Sequence, residues 1–416
     1  MTRTAPVCFS LALFLLAGNV NADVLHVRGP NTDYPEIKGA VFAAQDGDLI
    51  RIWPGTYVAF GINNKALTLV AEGGPSTVLV DGTVRVRNLE SSRSVTMAGV
   101  DATGVDGYGF VVSDCLGSVR ISDGRFEGAS APNPLNLWNG STGAIVTGCD
   151  DVQFSRCALV GGLPGWDNNA GYGGGGMHLG DSFIALFDCT FLGASGTTED
   201  SPGESGYSGG DGIGCWGTGR VYAAGCLMVG GNGGAADDDL DLWTGDYGYG
   251  GNGGNGFYSG GIEAWLLDNN YQPGFGGSSP GVGHGGADGV DYSGGTPLPG
   301  DARLLETSLL LDDLSAISVQ VKGTPGDVVS LRATTHAGYA FDTQLGPCLL
   351  ARPFAPGLAP WKLIGQIGPS GQLQLQLPLR DLAPLGHLTL QLQARVLGSE
   401  RYCTSSSATV VLDSAW

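Results

Sequence analysis

Apolar positions recur along the first two thirds of the chain in a fixed short pattern. An apolar pair at i and i+2 is followed by a small or apolar residue at +5, another apolar residue at +7 and Gly at +9. Val95, Met97, Val100, Ala102 and Gly104 form one copy, and Val119, Ile121, Gly124, Phe126 and Gly128 the next. Further copies start at Val152, Ile184 and Val221, so that successive starts lie 24, 33, 32 and 37 residues apart. The i, i+2 spacing is that of a strand, and the break between +2 and +5 is a tight turn. Gly at +9 predicts a second bend at a position with φ > 0. Each copy is one coil that cannot bury its inner face alone. Stacked coils, with strands about 4.8 Å apart, share one continuous core. Coils of this length favour a right-handed parallel β-helix, with insertions leaving at one or two corners.

The region before the repeat supports this reading. Ile37 to Ala44 has helical periodicity and precedes Gly47, Asp48, Ile50, Pro54, Gly55 and Tyr57, a G-D-x-I-x-x-x-P-G-x-Y pattern. The pattern resembles the opening of pectin-lyase-like right-handed parallel β-helix proteins. The resemblance implies a short amphipathic helix capping the core and a first coil built on the motif. It covers residues 23 to about 295, strongly to 230, and implies nothing about reaction, because fold and function are separable.

From Gly161 to Gly300 the chain carries 44 of its 73 glycines, which are read as loops leaving the coils and as irregular final coils. The calcium-binding nonapeptide repeat does not fit them, because no nine-residue period is present. Ser293 to Gly300 has linker composition. Beyond it, period-2 alternation in Gln372–Leu379 and His387–Val396, with strand-like runs at Ala316–Val321, Val328–Ala333 and Ala408–Leu412, predicts a small antiparallel β-sandwich. The expected organisation is a signal peptide over 1–22, a β-helix over 23–295, a linker over 296–304 and a sandwich over 305–416. The signal rests on Arg3, an apolar run from Val7 to Ala17 and the small-residue ending Val20-Asn21-Ala22. The expected location is therefore secreted or cell surface. No run reaches the roughly 20 apolar residues that span a bilayer.

Charge narrows the partners. The chain has 40 acidic and 20 basic residues, and from Thr197 to Gly300 thirteen acidic residues face one basic residue, Arg220. Such a surface repels nucleic acid and anionic lipid and attracts cations. Asp237, Asp238, Asp239 and Asp241 form the densest cluster, a candidate Ca2+ site of hard oxygen ligands. No C-x-x-C or H-E-x-x-H occurs, which argues against zinc.

Stacking turns the +4 position into a column of Asp123, Arg156 and Asp188 in three successive coils. An arginine between carboxylates suits a lyase base, and paired carboxylates suit glycoside hydrolysis, so these are the candidate catalytic residues. A salt-bridge column at a turn is the plainer reading. Adjacent Asp150 and Asp151 do not form a polygalacturonase-type set, because Asn31-Thr32-Asp33 and Gly283-His284-Gly285 lie more than a hundred residues away. Trp216, Trp243 and Tyr247 lead a group of aromatics beside glycines, fit for stacking on sugar faces. Cys157, Cys189 and Cys226 share one inward position and read as a core ladder. Cys348 and Cys403 are the natural pair for a disulfide in the C-terminal region. Two functions follow: a non-catalytic extracellular binding or structural protein, or a lyase or hydrolase acting on an extracellular polysaccharide.

Overall fold

The computed structural model describes residues 22–29, 32–105, 107–131, 138–165, 171–198, 204–236, 248–279, 284–311, 316–335, 337–350, 361–378, 387–398 and 402–413. The chain divides into a unit spanning Leu25–Gly300 and a second containing Asp301–Trp416.

The first unit is a right-handed parallel β-helix capped by the helix Ile37–Ala43, whose Ile37, Ala40 and Val41 enter the core. The repeat read from the sequence is the observed register. Val95 pairs with Val119, Val119 with Val152, Val152 with Ile184 and Ile184 with Val221, all in parallel. A second stack runs from Gly55–Val58 to Asn270–Gln272, and a third from Gly61–Asn63 to Tyr292–Ser293. At Met177–Phe187 and Ile213–Ala224 the first and third stacks fuse into single long strands. The inward residues form one apolar core, including the free, buried thiols of Cys157, Cys189 and Cys226.

The +4 position is the left-handed corner between the first and second stacks. Gly99, Asp123, Arg156, Asp188, Gly225 and Asp268 occupy it with φ of 75°, 57°, 52°, 53°, 67° and 52°. Asp tolerates this region through its short polar side chain, whereas arginine there is unusual.

The glycines at +9 have a different cause from the one their sequence suggests. Gly104, Gly128, Gly161, Gly193 and Gly230 are not among the residues with positive φ. Each is required because a Cβ there would overlap backbone of an adjacent segment, such as the Gly174 carbonyl at Gly161 or the Gly254 carbonyl at Gly230.

The glycine-rich region is likewise not a set of irregular loops. From the second stack each coil runs outward, then returns into the third stack, and these excursions pack as two layers of extended chain. Gly206, Gly209 and Gly212 donate N–H bonds of 2.9, 2.9 and 2.8 Å to the carbonyls of Tyr249, Asn252 and Asn255. Gly250, Gly253 and Gly256 donate in turn to His284, Ala287 and Val290 at 3.1, 2.9 and 3.0 Å. Between layers, Gly231 donates to Gly210, Gly254 to Gly231 and Gly274 to Gly254, each at 2.8 Å. This spacing repeats every three residues, the period of a polyproline-II-type chain rather than the two-residue period of a strand. Two residues of each triplet face neighbouring chains, and most of them are glycines at backbone contact distance, with Ala194, Thr197 and Tyr207 as exceptions. The third faces solvent.

That third residue closes the remaining bonds. The N–H groups of Tyr249, Asn252 and Asn255 bond to Ser205 Oγ, Ser208 Oγ and Asp211 Oδ1 at 2.9, 3.3 and 2.7 Å. Those of Ala287 and Val290 bond to Asn252 Oδ1 and Asn255 Oδ1 at 2.9 and 3.1 Å. The array thus pairs most of its backbone donors with no apolar core of its own, which is how so glycine-rich a stretch stays ordered.

The second unit holds a three-stranded antiparallel sheet (Leu304–Thr307, Ala316–Lys322, Gln372–Pro378) and a five-stranded, mainly antiparallel sheet that includes Val328–Thr334, His387–Leu397 and Tyr402–Asp413. Leu305, Val319, Val329, Leu390 and Val396 lie in its core. Cys348 is a free thiol here, and the side chain of Cys403, its expected partner, lies outside the described residues.

Candidate functional site

The outer face of the third stack is continuous with one face of the glycine array. Val111, Ile145, His178, Gly214, Tyr258 and Ser293 lie side by side in successive coils. Three residues earlier in each coil, Thr142, Gly175, Asp211, Asn255 and Val290 form the neighbouring row, linked through the N–H groups of Gly143, Gly176, Gly212 and Gly256. Two side chains are missing from this pavement, at Gly175 and Gly214. The polar and aromatic groups gather around those gaps.

His178 leans toward the Gly175 gap, where a Cβ would come within 2.8 Å of its Nε2. Its Nδ1 shares a 3.2 Å hydrogen bond with the hydroxyl of Thr142 in the preceding coil. Asp211, in the following coil, is held by the N–H and side-chain amide of Asn255, both reaching Oδ1, at 2.7 and 3.0 Å. A Cβ at Gly214 would sit 3.5 Å from both Asp211 Oδ2 and His178 Nε2, so these two atoms look onto the same small space.

Trp216 forms the adjoining wall. Its indole lies over Gly180 of the preceding coil, where any Cβ would overlap the ring, and it meets the His178 ring edge-on, centroids 5.8 Å apart at 86°. A β-bulge between Gly180 and Ser182 fixes this arrangement. There the N–H and hydroxyl of Thr218 bond Asp181 Oδ1 at 2.7 and 3.0 Å. Bulges re-aim side chains in this way. Tyr258, in register with Gly214, stands on the far side of the gap. Trp216 and Tyr258 are 42% and 44% exposed, which leaves both rings open to a ligand.

Burial dominates the electrostatics of the pair. Burial lowers the His178 pKa, opposed by the charge of Asp211. Burial raises that of Asp211, opposed by the Asn255 hydrogen bonds and by His178. Burial thus disfavours the charged form of each group, while each one's charge favours that of the other.

Of the residues singled out in the sequence, Trp216 belongs to this site. Asp123, Arg156 and Asp188 lie elsewhere, on the left-handed corner. There Arg156 Nε and Nη2 grip both carboxylate oxygens of Asp123, at 2.7 and 2.8 Å, and Asp188 is exposed in the next coil. Trp243, Tyr247, Asp237, Asp238, Asp239 and Asp241 fall outside the described residues. Among the described residues no cluster of three or more His, Cys, Asp or Glu could hold a metal ion. No described helix is long and apolar enough to cross a membrane.

His178 and Asp211 were missed. Their signal lies one step upstream of the repeat used, where Ala144-Ile145-Val146, Met177-His178-Leu179 and Ile213-Gly214-Cys215 align. Carrying the repeat back through these triplets places His178 and Gly214 in one outward row.

No family model and no curated protein matches the chain. Among solved structures, the chain is similar to the pectin methylesterase from Aspergillus niger, at 11% identity over 71% of this chain and 88% of that one, with a TM-score of 0.28. It is also similar to a variant of the PL6 family alginate lyase AlyGC, at 14% identity over 67% of this chain but only 40% of that chain, with a TM-score of 0.25.

Proposed function

We propose that this protein is exported and binds an extracellular polysaccharide at the His178, Asp211, Trp216 and Tyr258 site. One observation carries the reading: two exposed rings bracket a gap floored by Gly214, with hydrogen-bonding groups on its rim. Rings supply apolar contact to a sugar face, and a few placed polar groups fix its orientation.

A second reading, cleavage of the bound polymer, is favoured by His178 Nε2 and Asp211 Oδ2 facing the same gap at Gly214. His178 and Asp211 would then be the candidates for general base and acid. Incubating the mature chain with a panel of neutral and acidic polysaccharides separates the two. Sedimentation with polymer reports binding, and reducing ends and ultraviolet-absorbing products report cleavage. Binding without product is the expected result. Product that disappears in His178→Ala would make the protein an enzyme at this site. Product lost instead in Arg156→Ala would move the chemistry to the Asp123, Arg156 and Asp188 column. Sedimentation with none of the polymers would overturn both readings.

Calcium at Asp237, Asp238, Asp239 and Asp241 is proposed from sequence alone. A rise in thermal midpoint on adding calcium, absent when these residues are changed to Asn, is the expected outcome. No rise would remove the ion from the account.

A further inference from the structure

We infer that a single linear, neutral glycan lies along the whole exposed face of the glycine array, from Trp216 and Tyr258 at the sheet end to Tyr249 and His284 at the outer end. This rests on the proposed polysaccharide site and extends it to the class and length of ligand.

Tyr249 and Tyr258 belong to one returning segment and are nine residues apart. At roughly 3.1 Å per residue for a three-residue-period chain they are separated by about 28 Å, several sugar units. Tyr249 is 57% exposed, and its ring stacks nearly parallel on His284, centroids 5.9 Å apart at 10°, which makes a second aromatic station. Between the two aromatic stations the third-residue rows carry short side chains: Asn252 and Asn255 on this segment, Ser208 and Asp211 on the one before. The strip is therefore low, polar and edged by rings.

Asn252 uses its oxygen to accept the Ala287 N–H, which leaves its amide NH2 to donate to hydroxyls. The hydrogen-bonded array beneath leaves little freedom to freeze on binding, so contacts on it cost little ordering entropy. Charge selects the polymer. With Arg220 the one basic residue from Thr197 to Gly300 against thirteen acidic ones, an anionic glycan would be repelled and a neutral one would not.

Calorimetric affinities for the di-, tetra- and hexasaccharides of neutral linear glycans, with oligogalacturonates as the anionic comparison, test the inference. Affinity is expected to rise about tenfold or more from disaccharide to hexasaccharide. Tyr249→Ala should erase that gain while leaving disaccharide binding intact, and Tyr249→Phe should retain it. Trp216→Ala should weaken every length. Affinity that does not grow with length, growth that survives in Tyr249→Ala, or preference for oligogalacturonate would each overturn the extended site while leaving the His178 site standing. Binding of no oligomer and no polymer would remove both.

Discussion

His178 shows how a single side chain can be placed by residues that are absent. Gly175 and Gly214 clear the space on either side of its ring, Thr142 fixes one nitrogen and Asp211 faces the other. Because burial holds the folded-state pKa below the ordinary 6.5, the unfolded chain binds the proton first as pH falls. Stability from this residue is therefore intact above pH 6.5 and declines as pH drops through the window below it. Asp211 works the other way: its raised pKa favours the folded state in acid, and that contribution is lost as pH rises through the raised value. Comparing His178→Gln with the parent isolates the first effect. The parent's thermal midpoint should fall relative to the variant between pH 7 and 5, and parallel curves would show that His178 is not buried as described. At the corner column, Arg156→Ala should cost about 1 kcal/mol or less, the usual value of a partly exposed pair, and leave polysaccharide binding unchanged. A loss of binding would make the column part of the site. Gly180→Ala should displace the Trp216 indole, read as a red shift of tryptophan fluorescence. An unchanged spectrum would contradict the packing of the indole on that glycine.

Among the elements, strands were far easier to read than the glycine array. The strand copies repeat an apolar pattern, and burial makes that pattern strict: slipping Val119 or Val152 by one residue would turn a core side chain outward. The corner after each strand was also legible, because Asp123, Asp188 and Gly225 are residues that accept a left-handed conformation. The array has no such signature. Its order comes from backbone bonds and from the absence of side chains, so a search for apolar periodicity finds nothing between Gly230 and Gly256. What marks it is the three-residue spacing in Gly250-Gly251-Asn252-Gly253-Gly254-Asn255-Gly256, which follows from two crowded positions per turn and one open one. Gly254 tests this. A Cβ there would overlap the Gly210 carbonyl, so Gly254→Ala should destabilise the first unit by about 3 kcal/mol or more, as overpacking does at its upper end. Asn255→Ala, on the open position, should cost much less. Equal costs, measured by thermal or denaturant unfolding, would show that the array is not packed backbone to backbone.

At the scale of the molecule, the β-helix stacks its coils in parallel register and the array extends the outer face of its third stack. Fold class was open to sequence reasoning because it depends on many repeated local choices that agree. The site was only partly open, with Trp216 found and His178 and Asp211 not. It is assembled from four coils whose spacing along the chain varies with each excursion, so no short motif contains it. The proposed binding of polysaccharide at the His178 face is open to affinity electrophoresis. The parent protein, Trp216→Ala and Tyr258→Ala are run in gels loaded with each polymer of the panel. The parent is expected to be retarded by at least one neutral polymer, and each substitution to weaken the retardation about tenfold. Retardation of all three proteins to the same extent, or of none by any polymer, would contradict the proposal.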